Sequence, residues 1–137
     1  MPLPIPTFAA ATRGVLAALL ILAAEPSQAA ALPTAVGQCS QTTVAKIGTR
    51  LEDGVTGKPV AGSGSAITYA NGGTQVSYDQ IPGIDHSRAG DAVTVCLVVL
   101  PENCPKGDDR GKVYLAINAR TSESWEAPDS EHSCGGA

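Results

Sequence analysis

The chain has 137 residues, with 13 acidic against 9 basic side chains and a net charge of −4. That balance, with no basic block, excludes the electrostatic footprint of a nucleic-acid or anionic-lipid binder, and the length suits one domain. With one tryptophan, three tyrosines and one phenylalanine, the core has to come mainly from valine, isoleucine, leucine and alanine.

An export signal comes first. Arg13 is the one charge before the apolar run 14–24 (GVLAALLILAA), which gives way to the polar EPSQ and then to alanines at 29–31. The run is shorter than the roughly 20 apolar residues that a bilayer span needs. A basic start, a short apolar core and an A-x-A-like site make residues 1–31 a signal peptide, cut after Ala29 or Ala31. Residues 32–137 then form a single disulfide-stabilised domain in the periplasm or outside the cell. The AVGQ before Cys39 lacks a lipoprotein cleavage pattern, so no membrane anchor is expected after cleavage.

From there on the pattern is alternation. Residues 43–51 (TVAKIGTRL) set Ala45, Ile47 and Leu51 on one side of a strand, Lys46 and Arg50 on the other. Residues 53–65 (DGVTGKPVAGSGS) are turn and loop chemistry. Residues 65–79 (SAITYANGGTQVSYD) read as a hairpin, because Asn-Gly suits a type I′ turn. A loop at 71–72 pairs Ile67 with Val76 and Ser65 with Tyr78; a loop at 72–73 pairs Ile67 with Tyr78 and Tyr69 with Val76. Either places Ile67, Tyr69, Val76 and Tyr78 on one face, which a longer loop pairing Thr68 with Val76 would split.

Residues 91–100 (DAVTVCLVVL) are apolar on both faces, as in a central strand covered on both sides. Residues 112–120 (KVYLAINAR) place Val113, Leu115 and Ile117 inward, while the tail from Ser124 has no period and depends on Trp125 and Cys134 to hold it down. These runs predict an all-β fold, a small antiparallel β-sandwich or barrel of about five strands with one helical turn at most.

Four cysteines in a small exported domain imply two disulfides, and three pairings are open. The favoured one joins Cys96 to Cys104 locally and Cys39 to Cys134 across the domain. No pair has C-x-x-C spacing, so neither zinc nor any other cofactor is expected.

The candidate chemistry is thin. DHS at 85–87 puts an acid, a base and a hydroxyl side by side, but neighbouring side chains diverge and no nucleophile motif accompanies them. His86 therefore reads as a solvated loop residue. His132 is the one histidine that could join it on a metal, and no catalytic residue is assigned. Asp108 and Asp109 in NCPKGDDRG lack the alternating oxygen ligands of a calcium loop, so the stretch reads as a stapled turn with Arg110 paired to a carboxylate. Asp109 and Arg110 on that turn, Arg120 at the end of the last strand and Trp125 are the residues that could meet a partner. Trp125 is read first as packing.

Asp53 to Ile67, within EDGVTGKPVAGSGSAI, resemble the strand-loop-strand opening D-x-x-T-G-x-P-V-x-G of prealbumin-like, carboxypeptidase-regulatory-type β-sandwiches. The set SGSAITYANGG, VSYD, CPKGDDRG, NARTSESW and HSCGGA is similar to small uncharacterised exported proteins of Gram-negative bacteria. That resemblance implies the compartment. The functional expectation is a non-enzymatic module that binds another protein of the cell envelope. A lysozyme-inhibitor-like module and a small hydrolase using His86 or His132 are the alternatives.

Overall fold

The computed structural model describes residues 1–4 and 30–136. Most of the expected signal peptide lies outside these residues. Six antiparallel strands follow in the order β3-β2-β1-β4-β5-β6 and curl into a half-barrel. They are β1 (Cys39–Thr49), β2 (Ser65–Tyr69), β3 (Thr74–Val76), β4 (Ala92–Val99), β5 (Val113–Asn118) and β6 (Ser124–Pro128), with one short helix, α1 (Pro82–Asp85). The small all-β antiparallel fold is as expected, with six strands rather than five. The sixth forms because Trp125 and Ala127 alternate inward with Ser124 and Glu126 outward, a period too short to be legible in the tail.

The core lies on the concave side. Val93, Val95 and Leu97 of β4 meet Ala116 and Tyr114 of β5, with Ile67 and Tyr69 from β2 and Trp125 from β6. α1 plugs the open end: Pro82 starts it, and Ile84 is fully buried. Gly83 is needed there because a Cβ would sit 2.7 Å from Cε3 of Trp125.

Three inward-facing sets differ from the sequence expectation. On β1, Thr42 and Val44 point inward, and a bulge between Val44 and Lys46 leaves Ala45 exposed and Ile47 only packed at the margin. On β5, Tyr114, Ala116 and Asn118 are buried, while Val113, Leu115 and Ile117 face out. The polar Asn118 wins the inner place because all its amide atoms find partners there. In the hairpin, Ile67 pairs with Gln75 and Ala66 with Val76 across a three-residue loop, Ala70 to Gly72, closed by Tyr69 N–H to Gly73 O at 2.8 Å. Gly72 takes the left-handed position at φ 85°. Tyr78 leaves the core altogether, 57% exposed, under the Arg50 guanidinium 4.2 Å from its ring centre.

Gln75 explains that register. Its Oε1 accepts from Tyr69 Oη (2.5 Å) and Trp125 Nε1 (3.0 Å), and its Nε2 donates to the carbonyls of Tyr114 (2.6 Å) and Ala127 (3.0 Å). The amide thus ties the β3 edge to β5 and β6, where no ladder closes the barrel.

The disulfides are Cys39–Cys96 and Cys104–Cys134, so the favoured pairing is wrong in both halves. Cys39 lies directly opposite Cys96 in the β1–β4 ladder, Cα–Cα 4.0 Å, a register invisible to a reading based on nearness in sequence. β4 is central as expected, but the core covers one of its faces; Thr94, Cys96 and Val98 on the other are only half-buried.

Candidate functional site

The DHS stretch sits at the end of α1, and its three side chains part as strand-like neighbours do. Asp85 Oδ1 accepts from Ser65 Oγ at 2.7 Å. His86 Nδ1 lies 2.9 Å from Glu123 Oε1, with the ring largely in solvent. Ser87 Oγ is buried, donates to Gly83 O at 2.7 Å and accepts from Asn118 Nδ2 at 2.9 Å. A serine so occupied has no bond to the imidazole, so Ser87 and His86 do not form a nucleophile–base pair.

Around this stretch stands a polar network centred on Asp91. Arg120 donates through Nε to Asp91 Oδ1 (2.6 Å) and through Nη2 to Oδ2 (2.8 Å) and to His86 O (2.8 Å). Asn118 Nδ2 adds a third side-chain bond to Asp91, to Oδ2 at 2.8 Å, and Arg88 N–H a backbone one at 2.9 Å. Arg120, a candidate contact residue, is therefore engaged in holding the β5–β6 turn to the β4 end.

The Arg120 fork, and after it the Asn118 amide, hold the Asp91 carboxyl well below the usual carboxylate range. A depressed folded value means stability that is complete above the unfolded value of about 3.9 and lost as pH falls through the folded one. Urea midpoints between pH 2 and 7 should therefore fall steeply below about pH 4. In Asp91→Asn the midpoint should be lower at pH 7 and its acid slope shallower. Parallel acid slopes in the two proteins would remove Asp91 from the account.

The NCPKGDDRG turn is likewise self-contained. Arg110 grips Asp108 through Nε and Nη2, both at 2.8 Å, so the expected Arg110–carboxylate pair is present. Asp108 Oδ2 also accepts from Gly135 N–H, and Cys134 N–H donates to Arg110 O. The turn and the tail are thus clasped beside the Cys104–Cys134 bridge. Asp109 is bonded to Lys112 Nζ. Among the described residues no group of three or more His, Cys, Asp or Glu side chains is placed to hold a metal ion.

Asp109 and Arg110 thus share one turn before β5, Arg120 lies past its other end, and Trp125 is buried with its Nε1 on Gln75. The four do not converge on one surface.

A different element stands out. Leu51 to Val60 form a projecting hairpin, with Val60 N–H to Leu51 O at 3.0 Å, a Glu52–Pro59 bridge, and Asp53 N–H to Lys58 O at 2.8 Å. Asp53 Oδ1 stiffens the tip by accepting from Val55 N–H (3.1 Å), Thr56 N–H (2.7 Å) and Thr56 Oγ1 (2.8 Å). These bonds hold the Asp53 carboxyl below its ordinary value, the Thr56 backbone bond foremost. At the tip Val55 is 95% exposed, and Leu51 and Val60 lie half-open at the base. Reading 53–65 as turn chemistry passes over Val55. The available signal is a β-branched apolar residue at a tip position where turns favour Gly, Asn or Asp. No protein-family model, curated protein or solved structure matches this chain.

Proposed function

We propose that this chain is an exported, non-enzymatic domain, periplasmic or secreted, that binds another protein of the cell envelope through the Leu51–Val60 hairpin. The observation that carries the reading is Val55, an aliphatic side chain held almost fully in solvent on a turn whose backbone is already fixed. Such a residue adds nothing to the core. A fixed loop loses little conformational entropy on docking, which is the main cost of a loop contact.

Two disulfides suit an oxidising, extracytoplasmic compartment. No helix among the described residues is long and apolar enough to cross a membrane. The excess of acid over base disfavours nucleic acid as the partner. Separate engagement of Asp85, His86 and Ser87 argues against the hydrolase alternative. The lysozyme-inhibitor-like alternative is a special case of protein binding and is tested by the same material.

Immobilised wild type and the variants Val55→Asp, Val55→Ile and Lys106→Ala should be compared for retention of periplasmic proteins, with a lysozyme inhibition assay alongside. Val55→Asp should weaken any retained interaction at least tenfold, about 1.4 kcal/mol, because it puts a carboxylate into an apolar contact. Val55→Ile and Lys106→Ala should leave it intact. Binding indifferent to Val55→Asp, or a hydrolytic turnover abolished by His86→Ala, would overturn the proposal.

A further inference from the structure

An open cavity of about 200 Å³ lies where the chain leaving β3 meets the tail after β6. Val76, Tyr78, Asp79, Pro128, Ser130 and Glu131 line it. Tyr78 is the anomaly, an aromatic side chain 57% exposed in a domain with three tyrosines and one tryptophan. It is nonetheless held. The Arg50 side chain, only 16% exposed, donates through Nε to Ser63 O at 2.7 Å. Its guanidinium stacks on one face of the Tyr78 ring and lies 3.5 Å from Glu131 Oε1. The backbone around Tyr78 is equally set. Ser65 N–H donates to Asp79 O at 3.2 Å, and Asp79 N–H to Ser77 Oγ at 3.1 Å. Gly64 lets its own turn close against this stretch, since a Cβ there would lie 1.9 Å from Ser77 O.

We propose that this cavity is a binding site for one neutral sugar ring, a free monosaccharide or the end of an envelope glycan. The site is separate from the hairpin tip and goes beyond the protein-binding role assigned to it. A pyranose is amphipathic, with C–H groups on its faces and hydroxyls around its rim. The lining divides in the same way. Val76, Pro128 and the Tyr78 ring supply apolar surface, and tyrosine suits a ligand with one apolar and one wet side. Asp79 and Glu131 supply carboxylate oxygens that accept from hydroxyls. Ser130 Oγ donates to His132 O at 2.7 Å and keeps its lone pairs to accept. Charge narrows the ligand further. Arg50 offsets Glu131, and Asp79 then leaves the site one negative charge in excess, which rejects anions. A cation would gain most over the Tyr78 ring, where Arg50 already holds one face.

Size sets the strength. Pockets for drug-sized molecules start at about 300 Å³, so about 200 Å³ suits a single ring and not a chain. An open site that covers one ring should bind it weakly, at roughly millimolar concentration. Arg50 and the Ser65 bond hold Tyr78 before any ligand arrives, so docking adds little ordering cost.

Amide NMR titration of the export-processed protein with glucose, galactose, mannose and N-acetylglucosamine, each to about 50 mM, tests this directly. At least one sugar should give saturable shifts centred on residues 76–79 and 128–131. Glucuronate should give none there at matched ionic strength. Tyr78→Ala should weaken binding by about tenfold or more, and Asp79→Ala by about threefold or more. Tyr78→Phe keeps the ring and should bind within about threefold of wild type. Both positions are exposed, so all three variants should retain the wild-type Trp125 fluorescence. Methyl glycosides separate the two sources. Binding that they retain admits a glycan end, whereas binding confined to the free reducing sugar marks a monosaccharide. No shift with any neutral sugar, shifts indifferent to both Tyr78→Ala and Asp79→Ala, or a response to protonated glucosamine alone would each overturn the proposal.

Discussion

Replacing Gln75 by alanine should destabilise the domain by about 3–5 kcal/mol. The change strips the Gln75 acceptor from two buried donors, Tyr69 Oη and Trp125 Nε1. Each orphaned group costs about 1–3 kcal/mol. The truncated side chain also leaves a cavity, since Gln75 is itself fully buried. Beyond these terms the seam between β3 and β6 loses its amide tie to Tyr114 O and Ala127 O, which leaves Thr74 Oγ1 to Asp129 O at 3.1 Å as the hydrogen bond between the two edges among the described residues. Gln75→Met separates the contributions. It keeps the volume and forfeits the hydrogen bonds, so it should fall between wild type and Gln75→Ala. Gln75→Glu puts a carboxylate oxygen against two carbonyls. Burial raises its pKa, so it should be best tolerated at acid pH and progressively destabilising as pH rises through the unfolded value of about 4.3. Denaturant titrations followed by Trp125 fluorescence measure all three. A Gln75→Ala cost below about 1 kcal/mol would mean that the seam is held by something other than this amide.

Gln75 also marks where sequence reading stops. The hairpin itself was legible, because two alternating runs flank Asn71-Gly72, and so was the turn role of NCPKGDDRG with Arg110 on a carboxylate. Register was not. A period-two reading that puts Val76 and Tyr78 on the face of Ile67 and Tyr69, and Val113, Leu115 and Ile117 inward, leaves Gln75 and Asn118 on the opposite faces, the reverse of their burial. Both are buried because each amide has all its partners inside, a property of the assembled sheet and of no local stretch. The same holds for the cysteines. Cys39 meets Cys96 through the β1–β4 ladder, a contact between strands with β2, β3 and α1 between them in sequence. Among the contact candidates, Arg120 was visible as a cation near a strand end, but its partner Asp91 lies 29 residues away in sequence. Val55 was missed for the opposite reason: its surroundings are so clearly a turn that the one residue with no turn function drew no notice.

The second large effect concerns those bridges, and the two should not behave alike. Cys39–Cys96 and Cys104–Cys134 are separated by 57 and 30 residues in sequence. In the chain-entropy account their loops contribute about 4.2 and about 3.6 kcal/mol. The double variant Cys39→Ser/Cys96→Ser should therefore lose slightly more than Cys104→Ser/Cys134→Ser, both within about 2–5 kcal/mol. Location separates them more sharply than energy. Cys39–Cys96 joins adjacent strands of the sheet, so its loss should raise the rate of amide exchange throughout β1 and β4. Cys104–Cys134 joins a turn to the tail, where the Asp108 carboxylate and Arg110 carbonyl still hold Gly135 and Cys134. Trp125 continues to anchor β6 in the core. Faster exchange should there be confined to residues 103–112 and 130–136, with the strands keeping their protection. Peptide mapping of the oxidised protein, followed by hydrogen exchange on the two double variants, supplies both readouts. A Cys96–Cys104 peptide would contradict the β1–β4 register. Loss of protection across the sheet in Cys104→Ser/Cys134→Ser would show that the clasped tail supports the half-barrel as a whole, not only its own turn.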